Sequence, residues 1–127
     1  MNKYGNKKVT VEGITFDSLH EARRYCELKM LAMAGHIKSL ELQKEFELIP
    51  AQYEEVRIGG YYSKGERKGQ PRTKRVCVEK AVTYRADFCY IEDGKLVVED
   101  AKGFKTKDYI LKRKLMLWVK GIKIKEV

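Results

Sequence analysis

Apolar and polar residues follow one another along this chain in patterns that assign an element to nearly every stretch. Val9-Thr10-Val11 and Ile14-Thr15-Phe16 flank Glu12-Gly13, which predicts two short strands around a two-residue turn. Asp17 or Ser18 is placed to cap a helix from Leu19 to Ala34 that stops at Gly35, with Leu19, Ala22, Cys26, Met30 and Met33 recurring at helical spacing as its packing face. From Ile37 to Ile49 the period becomes two, with Leu40, Leu42, Phe46 and Leu48 on one side and Glu41, Gln43, Glu45 and Glu47 on the other, so a long strand is expected. Arg57 to Arg75 interrupts the pattern with Gly59-Gly60, Lys64-Gly65 and Arg67-Lys68-Gly69, and predicts a mobile basic loop. Apolar residues return at Val76-Cys77-Val78 and from Val82 to Ile91, and the turn Glu92-Asp93-Gly94-Lys95 leads into Leu96-Val97-Val98, so two antiparallel central strands are expected. Beyond Gly103, Tyr109, Leu111, Leu115 and Trp118 sit near helical spacing between Asp108 and Val119, and Gly121 ends that helix before a strand at Ile122-Lys123-Ile124. Read in order, α-β-β-β-α-β behind an amino-terminal hairpin describes an α/β domain, a mixed β-sheet flanked by helices.

Length fits a single domain, residues 1–127, with 43% hydrophobic residues for one core. No apolar run approaches the roughly 20 residues of a membrane span, and the polar start Met1-Asn2-Lys3-Tyr4-Gly5 lacks the apolar core of a signal peptide. A cytoplasmic protein is expected. Cys26, Cys77 and Cys89 are odd in number and far apart, which disfavours a disulfide framework or a zinc module and predicts reduced, mostly buried thiols. Lys and Arg number 27 against 18 Asp and Glu, a net charge of +9 that points to a polyanionic partner, with nucleic acid favoured over a membrane surface. No G-x-x-x-x-G-K-[ST] loop is present, which removes support for nucleotide hydrolysis, and His20 and His36 lack partners at zinc-ligand spacing.

The turn at Asp93-Gly94 sets Asp87 and Asp100 on adjacent strands at nearly matched distances from the bend. Alternation sends Asp100 and Lys102 to one face, so two carboxylates and an ammonium converge. A hard cation such as Mg²⁺ takes oxygen ligands and commonly one or two carboxylates, keeping other positions for water and phosphate. Asp87 and Asp100 meet that need, with the Ala101 carbonyl as a third ligand, and Lys102 is placed to hold or deprotonate an attacking water or to stabilise charge on phosphate. Ser18 and Glu21 also form a capping box, in which Glu21 serves the helix start, while Tyr25 and Leu28 share its side of the helix and hold the carboxylate toward protein.

Tyr84-Arg85-Ala86-Asp87-Phe88 followed by Val97-Val98-Glu99-Asp100-Ala101-Lys102-Gly103 resembles the PD-(D/E)XK nuclease signature, matched here as Asp87 … Asp100-x-Lys102. Phe16-Asp17-Ser18, Glu21-Ala22-Arg23-Arg24-Tyr25, the Leu42-Gln43 strand and Tyr109-x-Leu111-x-Arg113-Lys114-Leu115 are similar to a phage-encoded family of small endonucleases in that superfamily, grouped with Holliday-junction resolvases. No proline precedes Asp87, and the acid before Lys102 is aspartate instead of glutamate. The resemblance implies a restriction-endonuclease-like core, an acidic pair binding Mg²⁺ or Mn²⁺ on the central strands, a lysine beside it, and a helix glutamate near the metal at the position of Glu21. It implies DNA, branched for preference, as substrate. Pure capping and metal proximity both stay open for Glu21. Gln43, on the polar side of its strand, reads first as an exposed residue and second as a phosphate or metal contact. Arg67, Lys68, Arg72, Lys74 and Arg75 of the loop, with Lys105 and Lys112 after the active-site strand, are the candidate DNA contacts.

The expectation is therefore a metal-dependent endonuclease of the host cytoplasm, hydrolysing phosphodiesters by in-line attack. A binding module of the same fold without turnover, and a nuclease for RNA or DNA ends, are the rival readings. A two-fold symmetric junction needs paired cuts, which a C2 homodimer supplies; its shared surface is expected around Val9 to Phe16 or near Tyr61-Tyr62.

Overall fold

A computed structural model describes residues 7–127. The polar start Met1-Asn2-Lys3-Tyr4-Gly5 lies outside the described residues. Strands β1 (Val9–Val11) and β2 (Ile14–Phe16) pair antiparallel, with Val9 opposite Phe16, through a turn in which both Glu12 and Gly13 take positive φ. That turn geometry matches the twist of a two-residue hairpin. Helix α1 (Leu19–Met33) follows, capped by Ser18, whose Oγ accepts from the Glu21 amide at 3.1 Å. Then come β3 (Lys38–Ile49), β4 (Gln52–Tyr61), β5 (Pro71–Glu79), β6 (Val82–Glu92) and β7 (Lys95–Asp100). Helix α2 (Lys107–Leu115) runs into a π-helical turn at Met116–Lys120, and β8 (Lys125–Glu126) ends the chain. The architecture is mixed α/β with an amino-terminal hairpin, as the sequence predicts.

The chain, expected as one domain, divides into two compact units. The larger takes the chain up to Phe46 and again Tyr84–Val127; the smaller is Glu47–Thr83. The larger unit is built on the sheet β3-β6-β7-β8, with β6 and β7 antiparallel and β7 and β8 parallel. Its core gathers Phe16, Ala22, Tyr25, Leu28, Ile37, Phe88 and Tyr90, against which Val9, Val11 and Ile14 of the hairpin pack. Full burial of each large apolar side chain contributes about 1.5–3 kcal/mol. Phe16 of the hairpin is buried in that core, while Val9, Val11 and Ile14 are half-buried against it.

Three expectations about packing change. The inward face of α1 is Ala22, Tyr25 and Leu28, together with Glu21, while Leu19, Met30 and Met33 are exposed. Two stripes fit the helical period, and the aromatic one won the core. The inward residues here are Tyr109 on α2 and, about two turns beyond, Met116 at the start of the π-helical turn, with the stems of Lys112 and Arg113 half-buried between them; Leu111 and Trp118 face out. Of the cysteines only Cys89 is buried, because Cys26 lies on the outer side of α1 and Cys77 on an open ribbon.

The smaller unit corrects the expected basic loop over 57–75. Strands β4 and β5 pair antiparallel from Gln52 opposite Glu79 to Tyr61 opposite Pro71, so only the tip between them is a connection. Gly59 and Gly60, which read as loop punctuation, instead sit in a bulge of this ribbon, while Gly65 and Gly69 lie in the tip. The last strand is shifted too: β8 is Lys125–Glu126, while Ile124 is buried beside it. No helix among the described residues is long and apolar enough to cross a membrane.

Candidate active site

The turn Asp93-Gly94 fixes the register on which the site depends. Both residues take positive φ, 50° and 75°, which an Asp-Gly pair tolerates with little strain. Phe88 therefore lies opposite Glu99 and Glu92 opposite Lys95, and Asp87 and Asp100 fall one step further along, at the same end of β6 and β7. The Asp87 Oδ2 accepts from the Ala101 amide at 2.8 Å, which holds the two strand ends together. Asp100 is fully buried. Its Oδ2 accepts from the Tyr84 hydroxyl at 2.5 Å, whereas its Oδ1 has no hydrogen-bond partner and faces the Lys102 Nζ at 3.6 Å. Lys102 also lies over the ring of Tyr109, 5.3 Å from its centroid, so α2 walls the lysine on one side.

Helix α1 and strand β3 close the other side. Glu21, in the first turn of α1, is buried. The Gln43 side-chain amide donates to Glu21 Oε1 and to Asp87 Oδ1, each at 3.3 Å, and so links helix, strand and acidic pair. Gln43 reaches them from a backbone of φ 55°, a left-handed conformation uncommon for glutamine and one that re-aims a strand residue. Burial, then the Asp87 carboxylate, pushes the Glu21 pKa up to about 7. The same two causes push Asp100 up to about 7, against the Tyr84 hydrogen bond and Lys102. Burial and the bond to Asp100 raise Tyr84 in turn, so its proton stays available as donor.

Asp17, Ser18, His20, Glu21, Asp87, Ala101, Lys102, Gly103, Phe104 and Thr106 line a cleft of about 540 Å³ over this cluster. Asp87, Lys102 and Glu21 thus share one cleft with the Ala101 backbone, above the buried Asp100. Ala101 meets Asp87 through its amide. The Ser18 cap uses the Glu21 backbone amide, while the Glu21 carboxylate accepts from Gln43. Gln43 joins the cluster from the polar side of its strand, through a positive φ that no residue type around it signals. Tyr84 is the residue that sequence reasoning missed, although its place at the start of the resemblance was a signal.

The donor set fits a hard dication. Among the described residues, no three His, Cys, Asp or Glu side chains group closely enough to cage an ion unaided. Mg²⁺ asks for less than that, because it keeps several waters beside one or two carboxylates. A buried Asp100 oxygen without a hydrogen-bond donor, beside the Asp87 carboxylate that with burial pushes up both Asp100 and Glu21, is the arrangement a cation relieves.

On the opposite side of the same strand, Glu99 is fully buried and held by Arg24, whose Nε and terminal nitrogen each donate at 2.7 Å, and by the Tyr90 hydroxyl. Burial raises the Glu99 pKa, but these donors outweigh it and the net direction is down. This pair pins α1 to β7 and so sets where Glu21 stands.

The expected DNA contacts fall in different places. Lys105 pairs with Glu126 at 3.5 Å and Lys112 with Asp108 at 3.4 Å. In the smaller unit, Arg67 pairs with Glu55 at 3.7 Å and lies over Tyr62, while Arg75 stacks on Tyr53 at 3.8 Å. Lys68, Arg72 and Lys74 sit on the tip and β5 of the same ribbon.

No curated protein and no solved structure matches the chain. A family model described as "Protein of unknown function (DUF1064)" matches residues 1–125, and the chain belongs to that family.

Proposed function

We propose that the chain is a metal-dependent endonuclease that hydrolyses phosphodiester bonds of DNA. The observation that carries this reading is the buried Asp100, one oxygen held by Tyr84 and the other without a hydrogen-bond donor and facing Lys102, beneath the cleft that Asp87, Lys102 and Glu21 line. Asp87 and Asp100 would hold Mg²⁺ or Mn²⁺, with the Ala101 carbonyl and Glu21 as further oxygen ligands. When bound, such an ion polarises a phosphoryl oxygen and lowers the pKa of a coordinated water. Lys102, half out of the cleft wall and braced by Tyr109, orients that water or neutralises charge on the phosphate. Gln43 keeps Glu21 and Asp87 at fixed separation, and Tyr84 keeps the Asp100 carboxylate from turning. The resemblance to Holliday-junction resolvases favours branched DNA, and paired cuts would come from two copies of the chain.

Incubation with a labelled four-way junction, a matched duplex and single strands, each with Mg²⁺ or with chelator, tests this reading. Cleavage that needs the metal supports it, and preference for the junction supports its finer part. Absence of cleavage on every substrate in Mg²⁺ and Mn²⁺ contradicts it and leaves a binding module.

A further inference from the structure

The ribbon of the smaller unit holds a second cluster that the cleft does not use. Between Arg57 opposite Thr73 and Tyr61 opposite Pro71, three residues of β4 face the single Arg72 of β5. This bulge is made possible by Gly59 and Gly60, with φ of 90° and 74°. A side chain at Gly60 would meet Arg72, since a Cβ there lies 3.6 Å from the arginine Cδ. The bulge opens a concavity of about 120 Å³ lined by Arg57, Gly59, Gly60, Tyr61, Pro71 and Arg72. Among the described residues neither Arg57 nor Arg72 has an acidic partner within salt-bridge distance, unlike Arg67 on the same ribbon. Two unpaired guanidinium groups thus flank one hollow that glycine keeps open.

The hollow is too small for an organic ligand, whose pockets run to about 300–1,000 Å³. Its charge selects an anion, and planar guanidinium groups suit the paired oxygens of a phosphate. The ribbon from Gln52 to Glu79 carries seven Lys and Arg against Glu54, Glu55, Glu66 and Glu79, and between Arg57 and Arg75 Glu66 is the single acid, so positive charge extends from the hollow toward the tip. A continuous polyanion fits that extension better than an isolated phosphate.

We infer that β4 and β5 form a DNA-binding arm in which Arg57 and Arg72 clamp one backbone phosphate at the Gly59-Gly60 bulge. The partner class rests on the nuclease reading above; the site itself does not. Arg57 was absent from the contacts expected from sequence, because only the bulge places it beside Arg72. Arg67, tied to Glu55 and Tyr62, stiffens the tip and adds little to binding.

Fluorescence anisotropy of the full chain on a labelled DNA duplex, in chelator and across about 50–200 mM salt, tests the clamp without cleavage. Neutralising one phosphate contact flattens the slope of log K against log[salt] by about 0.9. The Arg57→Gln/Arg72→Gln variant is expected to show that flattening and at least about tenfold weaker binding at 100 mM salt. Because both groups serve one phosphate, Arg72→Gln alone gives most of the loss, whereas Arg67→Gln leaves the slope unchanged. An Arg57→Lys/Arg72→Lys variant keeps the wild-type slope and guards against misfolding as the cause. A wild-type slope in the doubly neutralised variant overturns the clamp, and so does wild-type binding to anionic vesicles in place of DNA. A wild-type chain that cuts no DNA in Mg²⁺, while the doubly neutralised variant still flattens the salt slope, would instead strike the nuclease reading and spare the arm.

Discussion

Burial and the Asp87 carboxylate hold both Glu21 and Asp100 near pKa 7, and this has a consequence for stability without metal. Their ordinary values are 4.5 and 3.8, so between about pH 4 and pH 7 the folded chain binds more protons than the unfolded one. Stability therefore falls as pH rises through that window. Glu99 acts oppositely: its lowered pKa gives stability that is present above the unfolded value and lost as pH falls through the folded one. We predict that the metal-free chain is most stable at about pH 5 and that Mg²⁺ raises its melting temperature at pH 8 but not at pH 5. Melting curves at the two pH values, with Mg²⁺ and with chelator, check this; an equal Mg²⁺ effect at both contradicts it. At the same scale, Lys102→Ala should cut turnover by about 10² or more while DNA affinity stays within about threefold, because the ammonium acts on the transition state. Glu21→Gln separates its two roles: a weakened metal response with unchanged melting marks a ligand, and a cost of about 1 kcal/mol with unchanged turnover marks a cap. Asp87, Asp100 and Lys102 were legible in sequence because an Asp-Gly turn fixes register by counting. Gln43 was legible only as a second reading, since its positive φ has no residue signature.

Among the elements, α1 shows where period alone gives out. Its length and cap were readable from Ser18 and Gly35, but Leu19, Met30 and Met33 lie outside while Glu21 and Arg24 turn toward protein. A helix that carries a buried ion pair cannot present a purely apolar stripe, so hydrophobic spacing picked the wrong row. The Arg24 contact to Glu99 spans 75 residues and is invisible to any local pattern. Removing one partner strands the other charge in the interior, which typically costs about 3–5 kcal/mol. Arg24→Leu should therefore destabilise the chain by about that amount at pH 7, as read from urea unfolding. A loss under about 1 kcal/mol would show that the pair does not anchor α1 to β7. The β4 and β5 ribbon escaped sequence reading for the reverse reason, because its glycines and charges resemble a loop and its pairing buries little.

For the whole molecule, each chain brings its own cleft over Asp87 and Asp100, and paired cuts at a symmetric junction need two such clefts. We predict a homodimer at micromolar concentration, with both strands of a junction cut within one binding event. Sedimentation that shows only a 14.8 kDa species contradicts paired cutting while leaving single-strand cleavage intact. The hairpin Val9–Phe16 packs Val9, Val11 and Ile14 half-buried against the core, so its apolar residues are not all free for a dimer surface. Its fate could not be read from sequence, where exposed and buried β-branched residues look alike. The central claim is that Asp100 belongs to a metal-dependent phosphodiesterase site, and it is tested most directly by comparing wild type and Asp100→Asn on a labelled four-way junction in Mg²⁺. The account predicts metal-dependent products from the wild type and none from the folded, DNA-binding variant. Products from Asp100→Asn at the wild-type rate would contradict it.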